Sequence, residues 1–218
     1  MSNANFAEAP CSKCGETLSI NRWDSLNGEL DPEAKESLLK GTLFSVTCPE
    51  CGEINHIVYP VLYHDMANRL LVQYAPNRDE ADDYIASAAD ALAGIKAVLP
   101  SGEETYTYRI VFSPNELREK ARVFDYGLDD RVVELTKFIC ALDLHKTRPE
   151  LAVTSAYFVI DEKEDFHVQF LLTDDRSCIM GVAKTMYDDI AKSFAAAIKE
   201  KSEGCYVIDS GWAASALK

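Results

Sequence analysis

The feature that most constrains this chain is a pair of Cys-x-x-Cys-Gly hooks. The first hook reads CSKCG at residues 11–15, and the second reads CPECG at residues 48–52. Two hooks at this separation are typical of a tetrahedral zinc site to which each hook supplies two thiolates. We therefore predict that one Zn²⁺ per chain is bound by four side chains: Cys11, Cys14, Cys48 and Cys51.

The composition of these hooks predicts a structural site. A glycine follows the second cysteine of each hook, where a tight turn back toward the sulfurs favours a positive φ. Four sulfur ligands complete the tetrahedron and leave no open position for water or substrate. We expect the ion to stabilise the fold and to take no part in catalysis.

Three other interpretations of the hooks stay open at this stage. The cysteines could form disulfides, although seven cysteines is an odd number and no signal peptide precedes them. One hook could be a redox pair, which would need to open a helix after a buried strand. Iron could occupy the same four thiolates in place of zinc.

Composition and charge narrow the function classes. The 218 residues are 47% hydrophobic and carry a formal net charge of -14. No apolar run approaches the roughly 18 residues that a membrane span needs, and the first residues lack a basic and apolar leader pattern. We expect a cytoplasmic protein that does not contact a membrane.

The acidic balance also argues against nucleic acid as a partner, because phosphate binding needs clustered lysine and arginine. The best basic group is interrupted by Glu116 and Glu119, and we expect it to be a solvated helix face. Its members are Arg109, Arg118, Lys120 and Arg122.

The first third of the chain has mainly strand patterns. Residues 16–23, 42–47, 56–63 and 69–74 are predicted as strands, the last two pairing across a turn. Asp31-Pro32-Glu33 predicts the capped start of a helix that ends at Gly41. These elements predict a small antiparallel sheet with the metal at one end.

The remainder mixes helices and strands. Helical spacing is present at residues 79–99, with a stop at 100–102, and again from Ser113 and from Asp129. Ser113 and Glu116 form a capping-box pattern. In the helix after Asp129, apolar spacing predicts this buried stripe: Val132, Leu135, Phe138 or Ile139, and Leu142. Further strands are predicted at 105–112, 152–160, 166–172, 177–182 and 205–209, with an acidic hairpin at 161–165 and a helix at 184–199.

The predicted fold class is α+β, with an N-terminal zinc ribbon-like antiparallel sheet fused to a mixed helix and strand body. A break in pattern near Pro76 divides the chain into a ribbon-like four-cysteine module, residues 1–76, and a body, residues 77–218. We expect the two to pack as one unit.

Several stretches of this chain resemble the CpXC domain proteins, over about residues 11–140. The resemblance rests on the second hook and on these segments: DPE at 31–33, LLKG at 38–41, YPVLYHDM at 59–66, RIV at 109–111, ELREK at 116–120 and LDDRVVEL at 128–135. It implies a zinc-binding module and supplies no reaction. One difference is that Pro10 precedes Cys11, whereas the family places proline after the first cysteine, which would allow a different turn at the first hook.

Other candidate residues were weighed against structural roles. His64-Asp65 suggests a metal-dependent hydrolase, although such sites need further histidines and carboxylates. His56 could donate to a hook sulfur, and Asp129-Asp130-Arg131 is predicted to cap a helix. The cysteines outside the hooks are expected to be buried and inert: Cys140, Cys178 and Cys205.

The sequence thus favours a noncatalytic zinc-stabilised binding or scaffold protein whose partner is another protein. A metal-assisted hydrolase using His64 and Asp65 is one alternative, and a nucleic-acid-binding zinc ribbon is another. An enzymatic role is not the expected one, because no phosphate loop or serine nucleophile motif is present.

Overall fold

A computed structural model describes residues 2–98 and 106–218 of the chain. The chain forms two compact units, Met1–Arg122 and Val123–Lys218. Helices and strands are mixed in both, so the predicted α+β class is confirmed. In the part of the chain that is described, no helix is both long and apolar enough to cross a bilayer.

The first unit is built around one five-stranded sheet. Its elements are β1 (Asn3–Pro10), β2 (Thr17–Asn27), α1 (Pro32–Lys40), β3 (Ser45–Thr47), β4 (Ile54–His56), β5 (Val61–Asp65), β6 (Leu70–Tyr74), α2 (Ala81–Val98), β7 (Thr107–Val111) and α3 (Pro114–Asp125). The sheet order is β1-β2-β5-β6-β7, and β3 and β4 form a separate antiparallel pair. β1 pairs with β2 and β5 with β6 in antiparallel fashion, whereas β2 with β5 and β6 with β7 are parallel.

The break in sequence pattern near Pro76 lies inside this first unit. β7 pairs with β6, so the sheet continues past the break. The division into domains 1–76 and 77–218 stays a prediction, and the compact units divide within α3.

Local signals explain where the helices of this unit begin and end. Pro32 is at the first helical position of α1, and Asp31 precedes it without making a side-chain cap. Gly41 ends α1 with φ 78°, a left-handed conformation that any other residue would adopt only with strain. The predicted capping box at α3 is confirmed, since Ser113 and Glu116 bond each other's backbone N–H.

The second unit packs four helices with a three-stranded antiparallel sheet. Its elements are α4 (Asp130–Thr147), β8 (Val153–Ile160), β9 (Phe166–Leu172), β10 (Ser177–Val182), α5 (Lys184–Ser193), α6 (Ala195–Ser202) and α7 (Ser210–Ala216). The sheet order is β10-β9-β8, and the predicted hairpin at 161–165 joins β8 to β9. Alternate residues of β9, including Val168 and Phe170, are fully buried in its core.

Four sequence predictions differ from the structure. The single strand at 56–63 is two strands, since β4 ends at His56 and β5 begins after Pro60. The helix at 184–199 breaks into α5 and α6 at Phe194, and residues 205–209 form no strand but lead into α7. Val132 and Leu135 of the predicted stripe of α4 are buried, whereas Leu142 is 44% exposed, on the side of the helix opposite Val133.

β1 was not predicted, because its burial pattern is almost wholly exposed and leaves little apolar alternation to detect. The predicted helix end at 100–102 and the strand start at Thr105 lie outside the described residues.

Candidate metal centre

Each hook forms the turn of a β-hairpin. The first hook connects β1 to β2, and the second connects β3 to β4. Paired strands fix the ends of each turn, so the two cysteines of a hook are held at a short and constant separation. This arrangement of two hairpins with a hook at each tip is the ribbon architecture that the hook spacing predicted.

The two hooks have the same backbone geometry. In the first, Cys11 N–H donates to Glu16 O at 2.7 Å and Gly15 N–H donates to Cys11 O at 3.0 Å. In the second, the corresponding bonds join Cys48 to Glu53 at 2.8 Å and Gly52 to Cys48 at 3.0 Å.

The position of proline therefore does not change the turn of the first hook. The glycines have φ values of 76° and 73°, as predicted, and a Cβ at either would meet no neighbour within 4 Å. The left-handed backbone is the reason for glycine at both positions.

The four-cysteine cluster, which consists of Cys11, Cys14, Cys48 and Cys51, converges on one point. Its sulfurs all lie within 4.8 Å of one another. Two sulfur pairs that join the hooks are 3.7 Å and 3.6 Å apart, Cys11 with Cys51 and Cys14 with Cys48. A regular tetrahedron with metal–sulfur bonds of about 2.3 Å has edges of about 3.8 Å. The four-cysteine cluster therefore has the donor type and the spacing of a tetrahedral metal site.

The disulfide and redox interpretations do not fit this geometry. All seven cysteines are free, and the sulfur pairs are far beyond the bonding distance of about 2.05 Å. Neither hook opens a helix, since both connect two strands. The arrangement thus lacks the helix N-terminus that activates a thioredoxin-type cysteine.

Backbone donors prepare the cluster for negative charge. Hydrogen bonds from the N–H groups of Cys14 and Lys13 lower the pKa of Cys11 to about 6. At Cys14 the Glu16 N–H acts in the same direction, but the neighbouring sulfurs and burial raise the pKa to about 12. One thiolate thus forms readily and opposes the ionisation of the next. A bound cation removes this repulsion and displaces the remaining protons.

Asn55 connects the two hooks directly and was missed by the sequence analysis. Its side-chain oxygen accepts from Ser12 N–H at 2.8 Å, and its amide nitrogen lies 3.6 Å from the Cys11 sulfur. The side chain is buried and also donates to Glu53 O. An asparagine four residues after Cys51 was the available signal.

His56, predicted as a donor to a hook sulfur, has a different place. It is exposed, and its ring nitrogen lies 3.1 Å from the Ser45 hydroxyl across the β3–β4 pair. Because strand residues alternate in direction, Asn55 turns toward the cluster and His56 turns away. Asn55 therefore takes the role that the sequence analysis gave to His56.

The four-cysteine cluster contacts apolar residues on its buried side and has charged residues near its exposed side. Cys11 and Cys48 are buried with Leu18, and Val46 packs against them. Cys14 is exposed, so the cluster lies at the surface of the unit. Lys13 and Glu53 form an exposed ion pair at 3.4 Å between the hooks, which places one cation near the thiolates.

Asp65, the carboxylate of the alternative hydrolase site, has a structural role. Its side chain is completely buried, and Oδ2 receives Lys35 Nζ at 3.0 Å, the Tyr63 hydroxyl at 3.1 Å and the Asn68 amide at 3.1 Å. Oδ1 accepts from Asn68 N–H at 2.9 Å. Burial alone would raise the pKa of Asp65, but these donors outweigh it and lower the pKa to about 2.

His64 points to the other side of β5 and is engaged at both ring nitrogens. Nδ1 lies 3.3 Å from the Asn27 amide and Nε2 lies 3.0 Å from the Tyr106 hydroxyl. Burial lowers the pKa of His64, which keeps the ring neutral near pH 7. Among the described residues, the one group of three or more potential ligands that could hold a metal is the four-cysteine cluster. The structure therefore does not bring His64 and Asp65 into a catalytic metal site.

The other sequence candidates are structural. The Asp129 side chain accepts from Arg131 N–H and caps α4, as predicted. Cys140 is buried, and that burial raises the pKa of its thiol to about 11, so it is inert. Cys178 and Cys205 are half-buried, which is less than predicted.

The basic group between residues 109 and 122 was expected to be a solvated helix face, and the structure contradicts this. Arg109 and Lys120 are buried. Arg122 is half-buried and donates to Leu39 O at 3.4 Å. This group therefore offers no exposed basic strip to phosphates.

Comparison with known proteins gives one family. No curated protein and no solved structure matches the chain. A family model described as CpXC protein matches residues 9–137, which include both hooks and the strands β2 to β7. With its four cysteines brought together as that hook pattern requires, the chain belongs to the CpXC family.

Proposed function

We propose that this chain is a noncatalytic protein-binding module whose N-terminal ribbon is stabilised by one structural zinc ion in the four-cysteine cluster. The observation that carries the proposal is the convergence of four sulfurs within 4.8 Å, with separations of 3.6 Å and 3.7 Å between hooks. Both values are close to the edge of a zinc–thiolate tetrahedron, about 3.8 Å.

A structural role follows from the number of ligands. Four thiolates satisfy the preferred coordination of zinc, so no position is left for an attacking water. Zinc is favoured over iron because paired Cys-x-x-Cys hooks on two hairpins are its usual structural ligands. Zinc would join two hairpins that belong to separate sheets, which makes metal binding part of folding.

The proposed partner class is another protein with a neutral or basic surface. The net charge of -14 repels phosphates, and the strongest basic group is largely buried. Large apolar side chains are exposed on the first unit and include Phe6, Leu30, Ile54, Val58 and Met66. Exposed apolar side chains of this size can take part in a protein interface.

The hydrolase and nucleic-acid alternatives receive no support from the geometry. The side chains of Asp65 and His64 are hydrogen-bonded to other residues of the first unit. We expect purified protein to show no metal-dependent hydrolysis of phosphate esters and no binding to immobilised DNA at low salt.

The proposed function is tested by metal analysis combined with partner capture. Protein purified without added metal should contain about one zinc per chain, and the full chain should capture protein from its native host after nuclease treatment. The matched control is Cys48→Ser, which should lose both zinc and capture, beside Cys178→Ser, which should keep both. Capture that is unchanged in Cys48→Ser would contradict a zinc-stabilised binding module.

A further inference from the structure

β2 has a strand edge that is only partly covered. It pairs with β1 over residues 17–25, but on its other side it pairs with β5 only at residues 25–27. Residues 17–24 have no second strand partner within the part of the chain that is described. An uncovered edge of this length can accept a further strand.

The outward-facing backbone groups of this edge can be identified. Cys11 N–H donates to Glu16 O at the hairpin turn, and bonded pairs alternate with non-bonded pairs along an antiparallel ladder. Ser19 and Asn21, which lie opposite Glu8 and Phe6, therefore belong to non-bonded pairs. Their N–H and C=O groups point away from β1, toward the uncovered side.

A groove of about 510 Å³ runs beside this edge. Its lining includes Asn21 and Trp23 of β2 and Ser45 and Val46 of β3. The rest of the lining comes from α1 with its preceding loop and from the turn before β3, with these apolar members: Leu30, Pro32, Ala34 and Leu43. The groove thus offers apolar contacts for side chains of a strand that pairs with β2.

Tyr59 marks the end of the uncovered edge. Its side chain is buried, and among the described residues its hydroxyl has no hydrogen-bond partner. Burial raises the pKa of this hydroxyl, and the nearby Trp23 backbone acts in the opposite direction, which places Tyr59 beside β2 at Trp23.

The charge of the groove selects the kind of segment that fits. Asp31 and Glu33 line it, and neither carboxylate has a hydrogen-bond or ion-pair partner in the described structure. The lining includes no lysine or arginine. Phe6, on β1 opposite Asn21, is 87% exposed, but it lies on the far side of β2 from the uncovered edge.

We propose that the uncovered edge of β2 binds an extended segment of a partner protein, which adds as a strand at Ser19 and Asn21 and places a lysine or arginine beside Asp31 and Glu33. This inference rests on the proposed function, and it names the surface and the chemistry of the partner. Main-chain pairing gives affinity, and the groove and its two carboxylates give specificity.

The test uses a defined probe, an acetylated and amidated seven-residue peptide of alternating valine and lysine. We expect the peptide to slow hydrogen exchange at the Ser19 and Asn21 amides of the zinc-loaded chain. Asn21→Pro removes an outward N–H without removing a bond to β1, and should weaken peptide binding about tenfold or more. Glu8→Pro makes the same change on the opposite edge of the hairpin and should change binding less than about twofold.

A second pair of variants tests the charge selection. Asp31→Asn with Glu33→Gln should weaken binding about fivefold at low salt, because two unpaired carboxylates are removed from the groove. Asp82→Asn with Asp83→Asn removes the same charge from exposed positions of α2 and should leave binding nearly unchanged. Equal affinity for wild type and Asn21→Pro overturns the inference, as does exchange at Ser19 and Asn21 that stays unprotected at millimolar peptide.

The strand-edge inference and the proposed function can fail independently of each other. Zinc content and partner capture are measured on the same variants. If Asn21→Pro keeps one zinc and still captures its partner, the strand-edge inference fails while the proposed function stands. If wild-type protein holds no zinc, the proposed function fails whatever the peptide does.

Discussion

At the scale of single residues, Asp65 shows how the chain accommodates a completely buried charge. Both carboxylate oxygens are engaged, and the donors come from α1, from β5 and from the turn after it. A buried charge is tolerated when it is paired and hydrogen-bonded, and it then fixes the geometry of its neighbours. Asp65 thereby ties α1 to the β5–β6 hairpin.

Removing this carboxylate should destabilise the first unit. Asp65→Asn removes the ion pair with Lys35, which is 20% exposed, and should lower the free energy of unfolding by about 2–4 kcal/mol. Urea unfolding at pH 7 measures the change. The control is Asp24→Asn, which breaks an exposed ion pair with Arg22 and should cost less than about 1 kcal/mol. Equal effects of the two changes would show that Asp65 is not a structural hub.

The lowered pKa of Asp65 also predicts a pH dependence. Its folded pKa of about 2 is below the ordinary value of 3.8, so the ionised form stabilises the fold above pH 4. This contribution, about 2 kcal/mol, is lost as the pH falls from about 4 to 2. The stability difference between wild type and Asp65→Asn should therefore shrink over that range. A difference that stays constant between pH 6 and pH 2.5 would contradict the assignment.

Asn55 is the residue through which the fold tunes the metal site. Asn55→Ala removes the contact with the Cys11 sulfur and the bond to Ser12, and should weaken metal affinity about 10–100-fold. Competition with a chromophoric chelator measures this affinity. His56→Ala, one residue later and exposed, should leave it unchanged. A larger loss of metal affinity in His56→Ala than in Asn55→Ala would contradict the role assigned to Asn55.

At the scale of elements, local signals predicted the hooks, the capping box of α3 and the Asp129 cap of α4, whereas Asp31 makes no side-chain cap at α1. Non-local packing decided the rest. The hook glycines and the capping box depend on neighbours within five residues, so the sequence alone was sufficient. The strand predicted at 205–209 failed because the apolar residues there, such as Ile208, pack among helices rather than in a sheet. The directions of the β2–β5 and β6–β7 pairs also depend on contacts that periodicity does not encode.

The two hairpins of the ribbon should depend on the metal together. Cys48→Ser removes a buried ligand and should abolish metal binding and unfold the ribbon, since the binding energy of a structural zinc is also folding energy. Thermal unfolding followed by circular dichroism should show a lower melting temperature. Cys178→Ser changes a half-buried cysteine of the second unit and should keep the metal content of wild type. Loss of metal in Cys178→Ser would mean that the wrong sulfurs were assigned.

At the scale of the whole molecule, the proposed metal should stabilise one compact unit directly. All four ligands lie in Met1–Arg122, and the second unit has its own apolar core. Adding a chelator should therefore speed hydrogen exchange in β1 to β4 and leave the β8–β9 hairpin protected. Mass spectrometry of peptic fragments resolves these regions. Equal loss of protection in β9 would contradict a local role for the metal.

The four ligands of the candidate site could be predicted from the sequence because they recur at short, regular spacing, whereas Asn55 could not. The position of the boundary between units could not be predicted either, because Pro76 interrupts the chain locally while β7 returns to the same sheet. The uncovered edge of β2 could not be predicted either, because the sequence does not show which strands pair. Only the strand order shows that β5 pairs with β2 at residues 25–27 alone.

The central claim is that one zinc ion holds the two hooks together through sulfur alone. It is tested most directly by elemental analysis of the full chain purified without added metal. The account predicts about one zinc per chain, lost in Cys48→Ser and kept in Cys178→Ser. Iron in place of zinc, or wild-type protein that is folded and free of metal, would contradict it.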